Sequence, residues 1–364
     1  MKNHASPENA KGMDFIMKTN KILRMIAVIL ATLMLNMFVG CRDARQDDLP
    51  LSGKRFAIVP KSEGNSYFET IVNGFSAVVE SQGGTPVVRA PSQATAEEQI
   101  TIINSLISDK VDLIAIATNS KSATAPALQK AMEQGIKVLS FDSAADPSSR
   151  LLHINQADAQ RIAQVLMDAA ADITGGSGQI AIMSTTSQAH NQNTWIEGMR
   201  GLLEAGEYPG LVLVNIAYGE DDYRTTYEKT KNLIDEHPDL ALIIAPTAAG
   251  IPAVAACITD KGADNRIKVT GLGMPSQMAQ YIGRDRVCPY MFLWDLEELG
   301  KLTAYAAIAL VNGTITGAVG ESLYAGGTEE YLITSDPLGG SEIALQTEPI
   351  RFDETNIDHW KNIY

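Results

Sequence analysis

From Lys54 onward the chain alternates short, wholly apolar runs with longer amphipathic segments. The run Leu113-Ile114-Ala115-Ile116-Ala117 has no polar–apolar alternation, so neither face of that strand is suited to water. Strands of this kind belong to parallel sheets covered by helices on both sides. The pattern predicts strands over 55–60, 86–89, 113–117 and 137–141, with helices over 67–82, 94–108 and 125–134 between them. It then repeats, with strands over 179–183, 211–218, 241–245 and 268–272 and helices over 193–205, 223–237, 250–261 and 275–282. A strand-like stretch at 287–294 leads into a strong helix at 296–312, and residues 321–364 read as short strands and turns. Strand–helix repetition with short connections implies right-handed βαβ units. The expected fold is α/β, with two doubly wound parallel-sheet lobes split near residues 151–158. No low-complexity segment intervenes, so short hinges join them.

The N-terminal segment has a different character. Lys18, Lys21 and Arg24 precede an apolar run from Met25 to Val39, which ends at Gly40-Cys41. Fifteen residues suit a signal sequence and fall short of the ~20 needed to span a bilayer. Residues 1–40 are therefore expected to be a signal peptide with Met17 as its start. Phe38-Val39-Gly40-Cys41 resembles a lipoprotein box, with Phe38 in place of the usual Leu. Cys41 would carry the lipid and residues 41–53 form a polar tether. An ordinary cleaved signal peptide ending near a cysteine is the other reading.

The charge excludes one class of partner. The formal net charge is −14, and removing the leader's +3 leaves −17 on residues 41–364. Such a surface repels phosphate backbones, which argues against nucleic acid. Cys257 and Cys288 do not make a disulfide framework and are expected as buried free thiols. His153, His190, His237 and His359 lack metal-ligand spacing, and no nucleophile elbow or phosphate loop is present. Gly175-Gly176-Ser177-Gly178 precedes a strand and reads as a turn. No metal, cofactor or catalytic residue is expected.

In open parallel sheets, ligands bind beyond the carboxyl ends of the strands. That rule selects Lys61, Asn65, Tyr67 and Phe68 after the first strand and Asp142 after the fourth. In the second lobe it selects Asn191 and Gln192, expected between a strand and a helix, then Pro246, Thr247 and Ala248, and finally Trp294 and Asp295. Asp142 can accept two hydroxyl hydrogen bonds, and Lys61 can donate and offset its charge. Asn191 and Gln192 do both, and the aromatic rings suit the apolar face of a sugar. Plainer roles are a turn cap for Asp142, a helix cap for Asn191-Gln192 and core packing for Trp294.

These residues sit in longer matching segments. They include Ile58-Val59-Pro60-Lys61, Gly64-Asn65-Ser66-Tyr67-Phe68, Ser140-Phe141-Asp142-Ser143, Ile154-Asn155-Gln156, Asn191-Gln192-Asn193-Thr194-Trp195, Ile243-Ile244-Ala245-Pro246 and Leu293-Trp294-Asp295. From about Lys54 to Asp358 the chain resembles the type I, ribose-like periplasmic sugar-binding proteins of ABC importers. Within that group it is most similar to rhamnose-binding proteins and autoinducer-2 receptors. The ligand-gripping positions of those receptors fall by resemblance on Lys61, Asp142, Asn191, Gln192, Pro246 and Ala248. Asn191 departs from the receptors, which carry Asp, and agrees with the rhamnose type. Gly273 stands where the wider ribose group has Asp.

The resemblance implies a lipid-anchored, extracytoplasmic monomer. It would close by hinge motion on a rhamnose-like deoxyhexose and deliver it to a membrane permease, with autoinducer-2 as the alternative ligand. It implies three inter-lobe crossings, near Asn155, near Trp294 and in the tail. The first lobe would comprise 54–155 with about 296–330, and the second about 156–295 with about 331–364. Two other classes remain open at this point. A lipid-anchored carbohydrate-active enzyme needs two flanking carboxylates, for which Asp142 and Asp295 are the candidates. A repressor or sensor half of similar fold would carry a helix-turn-helix where this chain has a signal sequence.

Overall fold

A computed structural model describes residues 51–364 except Gln188 and Leu338. The signal peptide, most of the tether and Cys41 lie outside the described residues.

The first sheet is built from β1 (Arg55–Val59), β2 (Thr85–Val88), β3 (Leu113–Ile116), β4 (Lys137–Phe141) and β5 (Leu152–Asn155). They lie parallel in the order β2-β1-β3-β4-β5. Between them run α1 (Ser66–Ser81), α2 (Ala96–Ser108) and α3 (Lys121–Glu133). Leu113, Ile114, Ala115 and Ile116 are all fully buried, as their unbroken apolar run requires. Ile103, Leu106, Ile107, Leu128 and Ala131 from α2 and α3 pack with Ala57, Val59, Ile114, Ile116 and Val138 on one face of the sheet.

The second lobe repeats the scheme. Helix α4 (Ala159–Thr174) precedes β6 (Gly178–Ser184), α5 (His190–Glu204), β7 (Leu211–Tyr218), α6 (Tyr223–Glu236), β8 (Leu240–Ala245), α7 (Ile251–Asp260) and β9 (Lys268–Gly271). The parallel order β7-β6-β8-β9 matches the order of the first four strands of the first sheet. Cys257 lies in α7, and it and Cys288 are buried free thiols. Burial pushes the Cys257 thiol up to about 11. Gly175 ends α4 in the left-handed conformation, so the glycine run is the turn before β6. After a short helix α8 (Pro275–Met278) the chain forms β10 (Met291–Leu293) and crosses at Trp294 into α9 (Leu296–Asn312).

Helix α9 returns to the first lobe, where it packs on α1 and on β3, β4 and β5. The two helices meet backbone to backbone. A Cβ on Gly300 would stand 2.1 Å from the carbonyl oxygen of Ile71, and one on Gly74 would stand 2.4 Å from that of Glu297.

The tail corrects the expected lobe boundary. After the hairpin β11 (Ser322–Ala325) and β12 (Glu329–Leu332), strands β13 (Thr334–Ser335) and β14 (Ser341–Ala344) join the first sheet beside β5. Residues 334–344 therefore belong with the first lobe, not the second. Only then does the chain reach β15 (Ile350–Phe352), which pairs antiparallel with β10, and the short α10 (Ile357–Trp360). A buried ion pair reinforces the pairing of β14 with β5. Arg150 bonds Asp336 and donates to the carbonyls of Ala145, Gly339 and Ser341, which fastens the tail to the loop before β5. Other expectations need smaller corrections. The strand-like stretch at 287–294 yields only β10, the helix expected over 275–282 yields only α8, and β5 and α4 are unread elements.

Gly300→Ala is expected to destabilise the protein by about 1–3 kcal/mol, because overpacking a tight helix contact forces backbone shifts. Urea denaturation measures it, and an unchanged midpoint would show that α1 and α9 can separate freely.

Candidate functional site

The carboxyl ends of both sheets and the Trp294 crossing border one cavity of about 360 Å³. That is the size of a site for one small ligand.

The floor of the first lobe is set by a buried amide. Gln99, fully buried, donates Nε2 to the carbonyls of Pro60 (3.2 Å) and Ala117 (2.8 Å), which ties the ends of β1 and β3 together. Its Oε1 accepts from the Asn119 N–H, and Asn119 Nδ2 donates to the carbonyl of Lys61 at 2.9 Å. The loop that presents Lys61 is thus held from beneath. Asn65 caps α1 by accepting from the Tyr67 N–H at 3.1 Å and also lines the cavity. Capping turns the first residues of α1, Tyr67 and Phe68, toward the strand ends.

Asp142 leaves β4 with φ of +55°, a left-handed conformation that is strained for a residue with a Cβ. It is 5% exposed. Tyr67 donates its hydroxyl to Oδ1 at 2.7 Å, and Trp294 donates Nε1 to that hydroxyl at 3.0 Å. Oδ2 faces Lys61 Nζ at 3.9 Å. One carboxylate oxygen is thus held by the protein, while the other faces a cation beyond hydrogen-bonding distance. Burial raises the Asp142 pKa above the usual carboxylate range. Lys61 and Tyr67 act in the opposite direction, and Asp221 adds to the rise. Burial, then the Asp142 charge, pushes the Tyr67 hydroxyl well above its ordinary value.

The second lobe supplies Asn191, Gln192 and Trp195 from the first turns of α5. Asn191 and Gln192 therefore sit inside the helix rather than before it, and the cap position is Ala189, which has no acceptor. Their amide oxygens Oδ1 and Oε1 are buried without a hydrogen-bond partner in the protein. Pro246, Thr247 and Ala248 line the cavity beyond β8, where Thr247 Oγ1 accepts from the Gly250 N–H and donates to Asp221 at 3.3 Å. An aromatic corner closes the hinge side. The Tyr67 ring meets Phe68 at 5.0 Å and Trp294 at 6.1 Å, both edge to face, and Trp195 meets Trp294 at 5.9 Å.

Lys61, Asn65, Tyr67, Phe68, Asp142, Asn191, Gln192, Pro246, Ala248 and Trp294 all border this space. Asp295 does not. Its carboxylate caps α9 by accepting from the Glu298 N–H at 2.9 Å and accepts from the Tyr364 hydroxyl at 2.7 Å. A helix start consumed it, and the carboxylate pair formed with Asp142 is dissolved. Sequence reasoning missed Trp195, Asp221, Met274 and Gln277 on the wall. The strand-end rule applied to β7 would have reached Asp221, and Trp195 lies one helical turn beyond Asn191. Among the described residues no cluster of His, Cys, Asp or Glu could hold a metal ion.

Asp142→Asn tests the electrostatics. With its pKa raised, folded Asp142 retains a proton that the unfolded chain has already lost between the two values. Stability falls as pH rises through that window, and the cost is fully present above it. The amide keeps an acceptor for Tyr67 without the charge. The variant is expected to gain stability over wild type at neutral pH, the gain vanishing below the ordinary carboxylate range. Denaturation at both pH values measures this, and no gain at neutral pH would mean that Lys61 fully compensates the burial.

Residues 56–315 match the family model described as periplasmic binding protein domain. Among solved structures, the chain is similar to an ABC transporter solute-binding protein from Clostridium phytofermentas with bound L-rhamnose. The two are 45% identical with a TM-score of 0.82, over 86% of this chain and 100% of that one. It is 33% identical to a sugar ABC transporter protein from Actinomyces odontolyticus, with a TM-score of 0.71 over 85% and 98% of the two chains. LsrB from Clostridium saccharobutylicum, in complex with AI-2, shares the fold at 21% identity, with a TM-score of 0.76 over 84% and 99%. The paired parallel sheets, the cavity between their strand ends and these matches lead to one conclusion: the chain belongs to the periplasmic binding protein family.

Proposed function

We propose that this protein captures a neutral, hydroxyl-rich sugar, with an L-rhamnose-like 6-deoxyhexose favoured, and delivers it to the permease of an ABC importer. One observation carries the reading. The cavity wall brings Asn191 and Gln192, whose buried amide oxygens lack protein donors, together with Asp142, whose Oδ2 faces Lys61 while Oδ1 accepts from Tyr67. Sugar hydroxyls are the donors that such a set requires, because buried acceptors left unpaired cost free energy. The rings of Tyr67, Phe68, Trp195 and Trp294 offer flat apolar surface for a sugar ring. Leu272, Met274 and Leu293 add apolar wall suited to a methyl group. The L-rhamnose bound to the Clostridium phytofermentas protein supports the choice of deoxyhexose.

In this reading the chain works as an extracytoplasmic monomer, anchored by a lipid on Cys41, without cofactor or catalytic residues. The family is one of binding proteins, which supports capture rather than turnover. Ligand bridging both walls favours the closed arrangement, and closure follows from that difference in affinity. Autoinducer-2 is the second ligand reading, and Asn191 disfavours it. A carboxylate there could only accept hydrogen bonds, whereas the amide also donates through Nδ2.

Two experiments test this. Calorimetry with L-rhamnose and autoinducer-2 is expected to show preference for the sugar, and Asn191→Asp should weaken the sugar by about 1–3 kcal/mol, the worth of a lost donor in a buried site. Tighter binding of autoinducer-2 by wild type would transfer the assignment to the second ligand. For the anchor, Cys41→Ser in the full precursor should release the protein from bacterial membranes. A variant as membrane-bound as wild type would refute lipidation at Cys41.

A further inference from the structure

The first crossing between the lobes holds a polar group that the cavity does not use. Gln156 follows β5 and lies two residues before Asp158, the cap of α4. It is fully buried, and neither its amide oxygen nor its amide nitrogen has a hydrogen-bond partner in the protein. It is not part of the cavity wall, so a ligand seated there does not satisfy it. Its surroundings are otherwise well tied. The Leu345 N–H of the third crossing donates to the carbonyl of Asn155 at 3.0 Å, and Asn155 Nδ2 donates to Glu342 Oε2 at 3.1 Å. Among these laced neighbours the Gln156 side chain is the member without a polar contact. A buried amide in that condition is costly, and native interiors rarely keep one without a reason.

We infer that Gln156 is a release spring: its amide is unpaired while the lobes face one another across the cavity, gains partners when they swing apart, and so biases the empty protein toward an open cleft. This rests on the sugar-capture reading above, because a ligand is what holds the lobes together against it. Any rotation between the lobes must be absorbed by the crossing segments, and residues 156–158 link β5 directly to α4. Opening moves the second lobe away from this point and lets water or backbone groups reach the amide. The penalty then acts on one arrangement alone, which is the condition for shifting a two-state equilibrium. Gln156 is accordingly a positioning residue that sets affinity and release rate without touching the ligand.

Gln156→Met tests the assignment, because methionine has nearly the same length and no polar amide. Small-angle scattering of the ligand-free variant should show a more compact protein than wild type. Stopped-flow release of L-rhamnose should slow by about tenfold, with affinity rising in proportion, as expected for removing one buried unpaired group. Gln156→Leu serves as a second apolar variant should methionine fail to pack. Unchanged scattering with unchanged affinity would overturn the inference, since the amide would then be equally paired in both arrangements. Reduced affinity with a lowered melting temperature would overturn it as well and make Gln156 a structural brace. Failure of wild type to bind L-rhamnose would defeat the ligand reading, and the ligand-free scattering comparison would still decide the role of Gln156.

Discussion

A single carboxylate withheld from water organises this protein. Asp142 is buried, strained in its backbone and held by Tyr67, whose hydroxyl is in turn held by Trp294 at the crossing between lobes. The first-lobe wall is therefore connected to the hinge through two hydrogen bonds. The fold engages one oxygen of Asp142 in this way and leaves the second toward Lys61. Burial makes a charge there costly, and the Lys61 ammonium and the Tyr67 hydroxyl offset part of that cost.

Much of this was legible in the residues alone, for a definite reason. Parallel strands buried on both faces are apolar throughout, so β3 announces itself, and the residues that follow each strand emerge at the ligand edge. Lys61, Asp142 and Pro246 were found on that ground. The same rule failed at Asp295 because two physical roles compete for an acidic residue at a strand–helix junction. Hydrogen bonds to the Glu298 N–H and the Tyr364 hydroxyl make it a cap there. Asp221 lies within reach of the rule beyond β7 but is hidden because Gly219 to Asp222 reads as an ordinary polar turn before α6, with Asp222 as the cap. Helix α4 was readable in its own right, since Ile162, Ala163, Leu166, Met167 and Ala170 repeat at helical spacing and are buried.

The tail shows what no local pattern can supply. Ser341-Glu342-Ile343-Ala344 is a plausible strand anywhere, and its membership of the first sheet is decided by a partner far away in sequence. The Arg150–Asp336 pair that fixes it is legible only once both are seen to be buried together. Charge pairs across such distances determine topology without leaving a periodic trace.

The close contact of α1 with α9 has a consequence for the order in which the molecule is completed. Residues 159–293 hold nearly all of the second lobe in one unbroken stretch. The first lobe, by contrast, is missing a face until Gly300 can settle against Ile71, and a sheet strand until β14 arrives. Local contacts form sooner than distant ones, because closing a long loop costs entropy before any contact rewards it. During synthesis the later lobe can mature as a unit while the earlier one waits with its apolar helix α1 uncovered.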